Sequence, residues 1–407
     1  MQSLFGILGM VALVGLAFVL SENRKAISWR TVTTAFGLQA LFGAFVLHTS
    51  SGSALLASVS SGVQHVLDYG KDGSEFLFGD LAGFKLGFVF AIHVLPVIIF
   101  FSSLVAVLYH LGLMQKIIAV IGGGLHRLLG VSRTEAMSAT ANIFMGQSEA
   151  PLVVRPYISG MTRSQLFAVM AGGLASVSGA VLAGYAALGV ELKYLIAASF
   201  MAAPGGLLMA KIIVPETESD KISDGAMVTT GEEEKAANVI DAAAAGASSG
   251  LRLAANVGAM LLAFIALIAL LNGAMAGLSS LVGAEGVTLQ KILGYIFSPV
   301  AFLLGIPAGE ILQVGGLIGE KLVLNEFIAY VGFSEIKETL SPHTQVIVSF
   351  ALCGFANFAS IAILLGGLGG MAPDRRSDIA RMGMKAVAAG SLSNLMSAAL
   401  AGFFLSM

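Results

Sequence analysis

The sequence predicts an all-α polytopic membrane protein, with about eight transmembrane helices plus two re-entrant helical hairpins in an inverted repeat. Three observations carry that prediction. Of 407 residues, 57% are hydrophobic and 11% charged, against about 25% charged in soluble domains. The apolar residues gather into runs that, at about 1.5 Å per helical residue, can cross a hydrocarbon core about 30 Å thick. Fifty glycines, about 12% of the chain where about 7% is usual, fit helices that pack closely or are interrupted inside a membrane. The composition also excludes other classes. A formal net charge of −2 makes nucleic acid no expected partner. One cysteine, Cys353, forbids an intrachain disulfide, and six histidines without HExxH or CxxC spacing point away from zinc and from any cofactor.

The first run, residues 3–20, is uncharged and reads as a spanning helix. It is not read as a cleaved leader, because no Lys or Arg precedes it and no small-residue cleavage site follows. The loop after it carries Arg24, Lys25 and Arg30, which the positive-inside rule sets in the cytoplasm, with the N-terminus outside. Further spans are expected at residues 31–47, 86–109, 166–190, 194–210, 253–271, 345–371 and 386–406. Two stretches, near 132–160 and 292–333, are too polar and too broken by Pro and Gly to be ordinary spans. They read as re-entrant hairpins, the first opening to the cytoplasm and the second to the outside. The last loop, with Arg375, Arg376, Arg381 and Lys385, then falls inside, so both termini lie outside the cytoplasm.

Residues 215–250 are acidic and read as a soluble cytoplasmic linker between two half-sequences. On each side the order is the same: a broken hairpin, a Gly/Ser/Asn-rich span, an apolar span. GLASVSGAVLAG from Gly173 loosely echoes GFANFASIAILLG from Gly354. Inverted repeats with interrupted helices point to a secondary transporter whose site lies near the bilayer midplane. The organisation is therefore 1–131, N-terminal spans and interfacial helices serving as scaffold; 132–214, the first transport half; the linker 215–250; 251–291, a scaffold span; and 292–407, the second transport half.

Four polar clusters stand inside the apolar sequence. Asn142 to Pro156 reads NIFMGQSEAPLVVRP, where Gly146, Pro151 and Pro156 make one continuous helix improbable. An amide, a hydroxyl and a carboxylate in sequence, Gln147, Ser148 and Glu149, suit a polar ligand at a hairpin tip; the bland alternative is an interfacial loop in which Glu149 pairs with Arg155. Asn325 and Glu326 sit in the apolar run Gly319 to Phe333. A carboxylate at such depth costs several kcal/mol unless compensated and is a functional residue by default; Lys321, five positions away, is its ordinary alternative partner. Asn357 and Ser360 stand three apart on one helical face, and Ser176 to Ser178 interrupt another span. Glu310 follows Pro307 in a turn that closes the second hairpin or lines an entrance.

At these residues the chain resembles the concentrative nucleoside transporter family over nearly its whole length. Gly319, Lys321, Asn325, Glu326, Phe327, Ala329, Tyr330 and Phe333 fit its pattern GxKxxxNEFVA plus an aromatic, with Ile328 replacing Val, and the GQSEAP and CGFANF segments also fit. The resemblance implies a homotrimer in the bacterial inner membrane, each protomer with its own site. It implies that Gln147, Ser148 and Glu149 contact the nucleobase, that Val181 and Phe355 wall it, and that Glu326, Asn357 and Ser360 hold the ribose hydroxyls. For the coupling Na⁺ it points to Asn142, Met145, Ser148, Ser176 and Val177. Ser148 stands where many members have Thr, and serine there also occurs in proton-coupled relatives, so H⁺ is the alternative ion. The expected activity is Na⁺-driven nucleoside import, of uridine, cytidine and adenosine, by a rigid domain moving across a fixed scaffold. An intramembrane enzyme using Glu149 and Glu326, or an ion channel, is the competing class. No GxSG, HExxH or GK[ST] phosphate loop supports the enzyme.

Overall fold

The computed structural model describes residues 2–83, 87–218, 236–281, 283 and 286–407, and every regular element among them is helical. Helix α1, Gln2–Val19, leads through a loop to α2, Trp29–His48, whose first turn is capped by Ser28. Helix α3, Ser50–Phe78, follows at once, then the short α4, Phe90–His93, and α5, Leu95–His110, which tolerates Pro96 because its first-turn N–H groups need no helical partner. Glycines with positive φ at both ends, Gly112 (75°) and Gly130 (67°), delimit α6, Leu113–Leu129.

The first hairpin descends in α7, Arg133–Ala141, opened by a Ser132/Glu135 capping box, and returns in a 3₁₀ helix, Ala150–Tyr157, where Pro151 and Pro156 preclude an α-helical ladder. Next come α8, Arg163–Ala175, and α9, Gly179–Ala187. The sequence predicts one span there, at 166–190. Ser176 instead adopts an extended conformation and Ser178 caps a new helix through the Val181 amide, so the span is two half-helices. Helix α10, Leu192–Ile213, closes this half.

The linker expected over 215–250 is shorter than that. Residues 219–235 lie outside the described residues, and α11, Val239–Ser280, begins within the expected linker because Asn238 caps it at Asp241. Its Gly246 and Gly250 press on Ser102, Ser103 and Ile99 of α5, with no room for a side chain, and Ser103 donates to the Ala243 carbonyl at 2.9 Å. Small residues allow this close antiparallel approach.

The second half holds α12, Leu289–Leu303; α13, Ile311–Val323; α14, Glu326–Ile336; α15, Pro342–Leu352; α16, Ala359–Met371; and α17, Arg376–Leu405. The stretch 292–333 is thus more than a hairpin. Helix α12 is a separate amphipathic helix lying on α13, and the hairpin itself is α13 and α14, with its tip at Leu324 and Asn325. The span expected at 345–371 is again two half-helices, broken over residues 353–358. Asn357 is therefore not on a helical face with Ser360; it lies in the break and accepts the Ser360 amide at 2.9 Å.

The halves repeat in order: a helix (α5, α11), an amphipathic helix (α6, α12), a hairpin, a broken helix (α8–α9, α15–α16) and a long helix (α10, α17). Three crossings separate the hairpins, so they enter from opposite sides. Helix α1 lies on α17 and α2 on α10 and α17, in the same body as the broken helices, whereas α5 pairs with α11. Among the described residues, six helices or helix pairs are long and apolar enough to cross a membrane, the α8–α9 pair among them.

Candidate functional site

Both hairpin tips dock on the helix breaks by the same bond. The Gly179 amide, just past the first break, donates to Phe144 O of the first tip at 3.0 Å, and the Phe358 amide, at the end of the second break, donates to Leu322 O of the second hairpin at 3.1 Å. The breaks are joined directly by Phe355 N to Ser176 O, 3.1 Å. Backbone groups that a broken helix would strand in an apolar interior are satisfied by the other repeat.

Around this junction a chain of side-chain bonds crosses from one half to the other. Gln147 Nε2 donates to Ser360 Oγ at 3.3 Å; Ser360 Oγ donates to Phe355 O; and Asn357 accepts the Ser360 amide while giving its Nδ2 to Glu326 Oε2 at 3.1 Å. The second carboxylate oxygen, Glu326 Oε1, accepts from Tyr185 Oη at 3.1 Å. Glu326 is the first residue of α14, behind the cap Asn325, so its negative charge sits at the positive end of that helix. It is only 5% exposed. Four of the sequence-chosen residues, Gln147, Glu326, Asn357 and Ser360, are therefore in one network. Val181 lies one helical turn before Tyr185 on α9, and Phe355 comes within van der Waals reach of a side chain placed at Gly146. Tyr185 is missed by sequence reasoning, since it reads as one more aromatic in an apolar span.

Beside this network lies a cluster of neutral oxygens. Asn142, at the end of α7, gives its Nδ2 to Ser138 O at 2.9 Å, and its buried Oδ1 has no hydrogen-bond donor among the described residues. That side chain packs on Gly172 and Gly173 of α8, one turn before Ser176. Ser176 Oγ donates to Gly172 O at 3.1 Å, which leaves its lone pairs available. The Met145 and Val177 carbonyls are bonded to no backbone N–H among the described residues, while the Met145 thioether is turned to the Tyr109 hydroxyl at 2.6 Å. A hard cation prefers such oxygen ligands. Among the described residues no cluster of three or more His, Cys, Asp or Glu is present.

The remaining members fall elsewhere. Ser148 is exposed and its Cβ faces Gly367 of α16. Glu149 is exposed, with Oε2 near the Gly146 amide at 3.4 Å. It lines a cavity of about 790 Å³ between the first tip and the α5–α11 pair, together with Arg155, Tyr109 and His110. Lys321 is not the partner of Glu326; it turns to Ala351 O and Asn394 instead. Glu310 accepts from Ser341 N and Oγ at 2.9 and 3.0 Å, and so tethers the α12–α13 turn to the start of α15.

Known proteins share this arrangement. Residues 194–402 match the family model of the Na⁺ dependent nucleoside transporter C-terminus, residues 8–81 that of its N-terminus, and residues 91–191 a nucleoside recognition (gate) model. The chain is 56% identical over 407 residues to the transporter YutK of Bacillus subtilis, covering 100% of both, and 49% identical over 417 residues to the nucleoside permease NupC of Helicobacter pylori, covering 100% of this chain and 99% of that one. Among solved structures, CNTnw in an inward-facing substrate-bound state superposes with a TM-score of 0.94 at 55% identity, covering 100% of this chain and 98% of that one.

Proposed function

The chain belongs to the concentrative, Na⁺-dependent nucleoside transporter family, and from that premise we propose that it imports nucleosides by symport with Na⁺. One observation carries the reading: a buried carboxylate, Glu326, is held by Tyr185 and Asn357 in a network that reaches Gln147 of the opposite hairpin. A carboxylate has about four lone-pair sites, and two are used here. The other two suit ribose hydroxyls, with Asn357 and Ser360 beside them. Gln147 carries a buried Oε1 without a donor among the described residues, which suits the donor edge of a base; Ser148 and Glu149 extend that contact, with Val181 and Phe355 as apolar walls.

The Asn142 side chain, the Ser176 hydroxyl and the Met145 and Val177 carbonyls form the Na⁺ site in this proposal. Ser148, on the first hairpin tip with its Cβ against Gly367 of α16, is assigned to the nucleoside alone. The protein is placed in the bacterial inner membrane as a homotrimer with both termini outside the cytoplasm. The test is uridine uptake into proteoliposomes with and without an inward Na⁺ gradient. Accumulation only with the Na⁺ gradient is the expected result; accumulation driven equally well by a proton gradient in Na⁺-free buffer would assign H⁺ instead.

A further inference from the structure

Lys321 and Asn394 make a buried cluster that the proposed site does not use. Lys321, on the first arm of the second hairpin, gives its Nζ to Ala351 O at 2.8 Å and to Asn394 Oδ1 at 2.6 Å. Asn394, on α17, gives its Nδ2 to Ala175 O at 2.6 Å and to Cys353 O at 2.8 Å. Ala175 is the last residue of α8, directly before Ser176, and Cys353 follows α15, two residues before Phe355. One amide therefore reaches the C-terminal ends of both broken helices, and one ammonium sits against both the amide and the end of α15.

Those ends need such partners. The last carbonyls of a helix have no intrahelical donor, and the two helices point their negative ends at this spot, where a cation is stabilising. The backbone is shaped to admit the cluster. A Cβ at Gly354 would overlap the Asn394 amide, and one at Gly390, one turn before Asn394, would come within about 3 Å of Leu174 and Ala356, so that only glycine lets α17 pack this closely. Three of the four hydrogen-bonding positions of the Asn394 amide are filled, both donors among them.

We propose that Lys321 and Asn394 are positioning residues, a staple that fixes both helix breaks against the second hairpin so that the cation and nucleoside sites are set together. The inference rests on the reading of the site given above. Its distinctive consequence is that Lys321 controls Ser176, which it does not touch and which belongs to the other repeat.

The test uses the full-length protein in detergent and in proteoliposomes. In Lys321→Met, amide hydrogen exchange is expected to accelerate over both 172–182 and 351–360. The half-saturating concentrations of Na⁺ and of uridine are expected to rise together by about tenfold, as for loss of one charge-assisted bond, with the maximal rate retained. Lys321→Arg, which keeps a buried donor, restores both. If Lys321→Met does not purify as a monodisperse protein, Asn394→Asp replaces it, keeping the acceptor for Lys321 while losing both donations, with the same expected pattern. Exchange that accelerates only over 351–360, or in neither segment, overturns the staple, as does a uridine effect with unchanged Na⁺ dependence in a Na⁺-coupled wild type. Should wild-type uptake prove independent of Na⁺, the ion assignment fails while the exchange measurement on ligand-free protein still decides the staple.

Discussion

Replacing Glu326 by Gln removes the buried charge while keeping side-chain volume, and the surrounding bonds dictate how the amide must sit. Its NH₂ cannot face Asn357, whose Nδ2 already donates toward position 326 at 3.1 Å, and turning the Asn357 amide over would strip Oδ1 from the Ser360 amide. The Gln oxygen therefore faces Asn357, and its NH₂ faces the Tyr185 hydroxyl, which can accept. The fold survives this exchange, but a ribose hydroxyl on the Tyr185 side loses its acceptor and the other loses a charged partner. A bond to a charged group contributes about 1.5–3 kcal/mol and a neutral one about 1, so the combined loss is about 2–4 kcal/mol, or about 30- to 700-fold in affinity. Calorimetric titration of uridine, 2′-deoxyuridine and 3′-deoxyuridine into purified wild type and variant measures it. In the variant the deoxy penalty is expected to shrink to about twofold or less for the hydroxyl on the Tyr185 side, whose acceptor is already gone, and to about fivefold for the other, which keeps a neutral bond of about 1 kcal/mol. Wild-type uridine affinity in Glu326→Gln, or an undiminished deoxy penalty, would refute the ribose assignment.

Tyr185→Phe deletes the other donor to the carboxylate and is expected to weaken uridine binding by about tenfold while leaving the Na⁺ dependence in place, measured by the same titrations at several Na⁺ concentrations. Ser176→Ala removes a hydroxyl from the oxygen cluster and is expected to raise the half-saturating Na⁺ concentration for uptake by about tenfold; an unchanged Na⁺ response would discredit the proposed ion site. Outside the membrane, the hydrogen bond from Arg163 holds the Glu22 carboxyl at about 2, below its ordinary 4.5, aided by Lys385 and against the effect of burial. A depressed carboxyl contributes stability that is complete above about 4.5 and is lost as pH falls toward about 2. The melting temperature of the purified protein is therefore expected to drop through that window, and Glu22→Gln to flatten the drop, as read by a thermal-shift pH series.

Much of this was legible in sequence because lipid is a severe filter. Gln147, Asn325, Glu326, Asn357 and Ser360 stand out against apolar surroundings, and all of them prove to line the junction of hairpins and breaks. What stayed hidden depends on distant partners. The break at Ser176 is flanked by GLA and GAVLAG, so no loss of hydropathy marks it, and the groups that satisfy the freed backbone, Phe355 and Asn394, lie in the other half. Tyr185 meets Glu326 across 141 residues. Residues 239–250 read as linker because Ala, Gly and Ser have little hydropathy, yet those same small residues are what let α11 lie against α5. Helix α12 was indistinguishable from a hairpin arm, since it lies against α13 over a short turn and carries Pro299 inside it.

The repeated tip bonds also restrict how such a site can open. If the first hairpin swung out alone, it would break Gly179 N to Phe144 O and expose an amide and a carbonyl of the break, each costing about 1–3 kcal/mol when left unpaired. The second would lose Phe358 N to Leu322 O in the same way. Glu326 would in addition part from Tyr185, which stands on the other repeat's broken helix. Carrying both hairpins, both broken helices and the packed α1, α2, α10 and α17 as one body leaves all of these bonds intact. The contacts that such a movement must exchange are then those with the α5–α11 pair, including Tyr109 to Met145 at 2.6 Å, at the wall of the cavity that also holds Glu149. A disulfide linking α8 to α17 would be compatible with transport on this argument, whereas one linking the first hairpin tip to α5 would arrest it, as uptake before and after reduction would show.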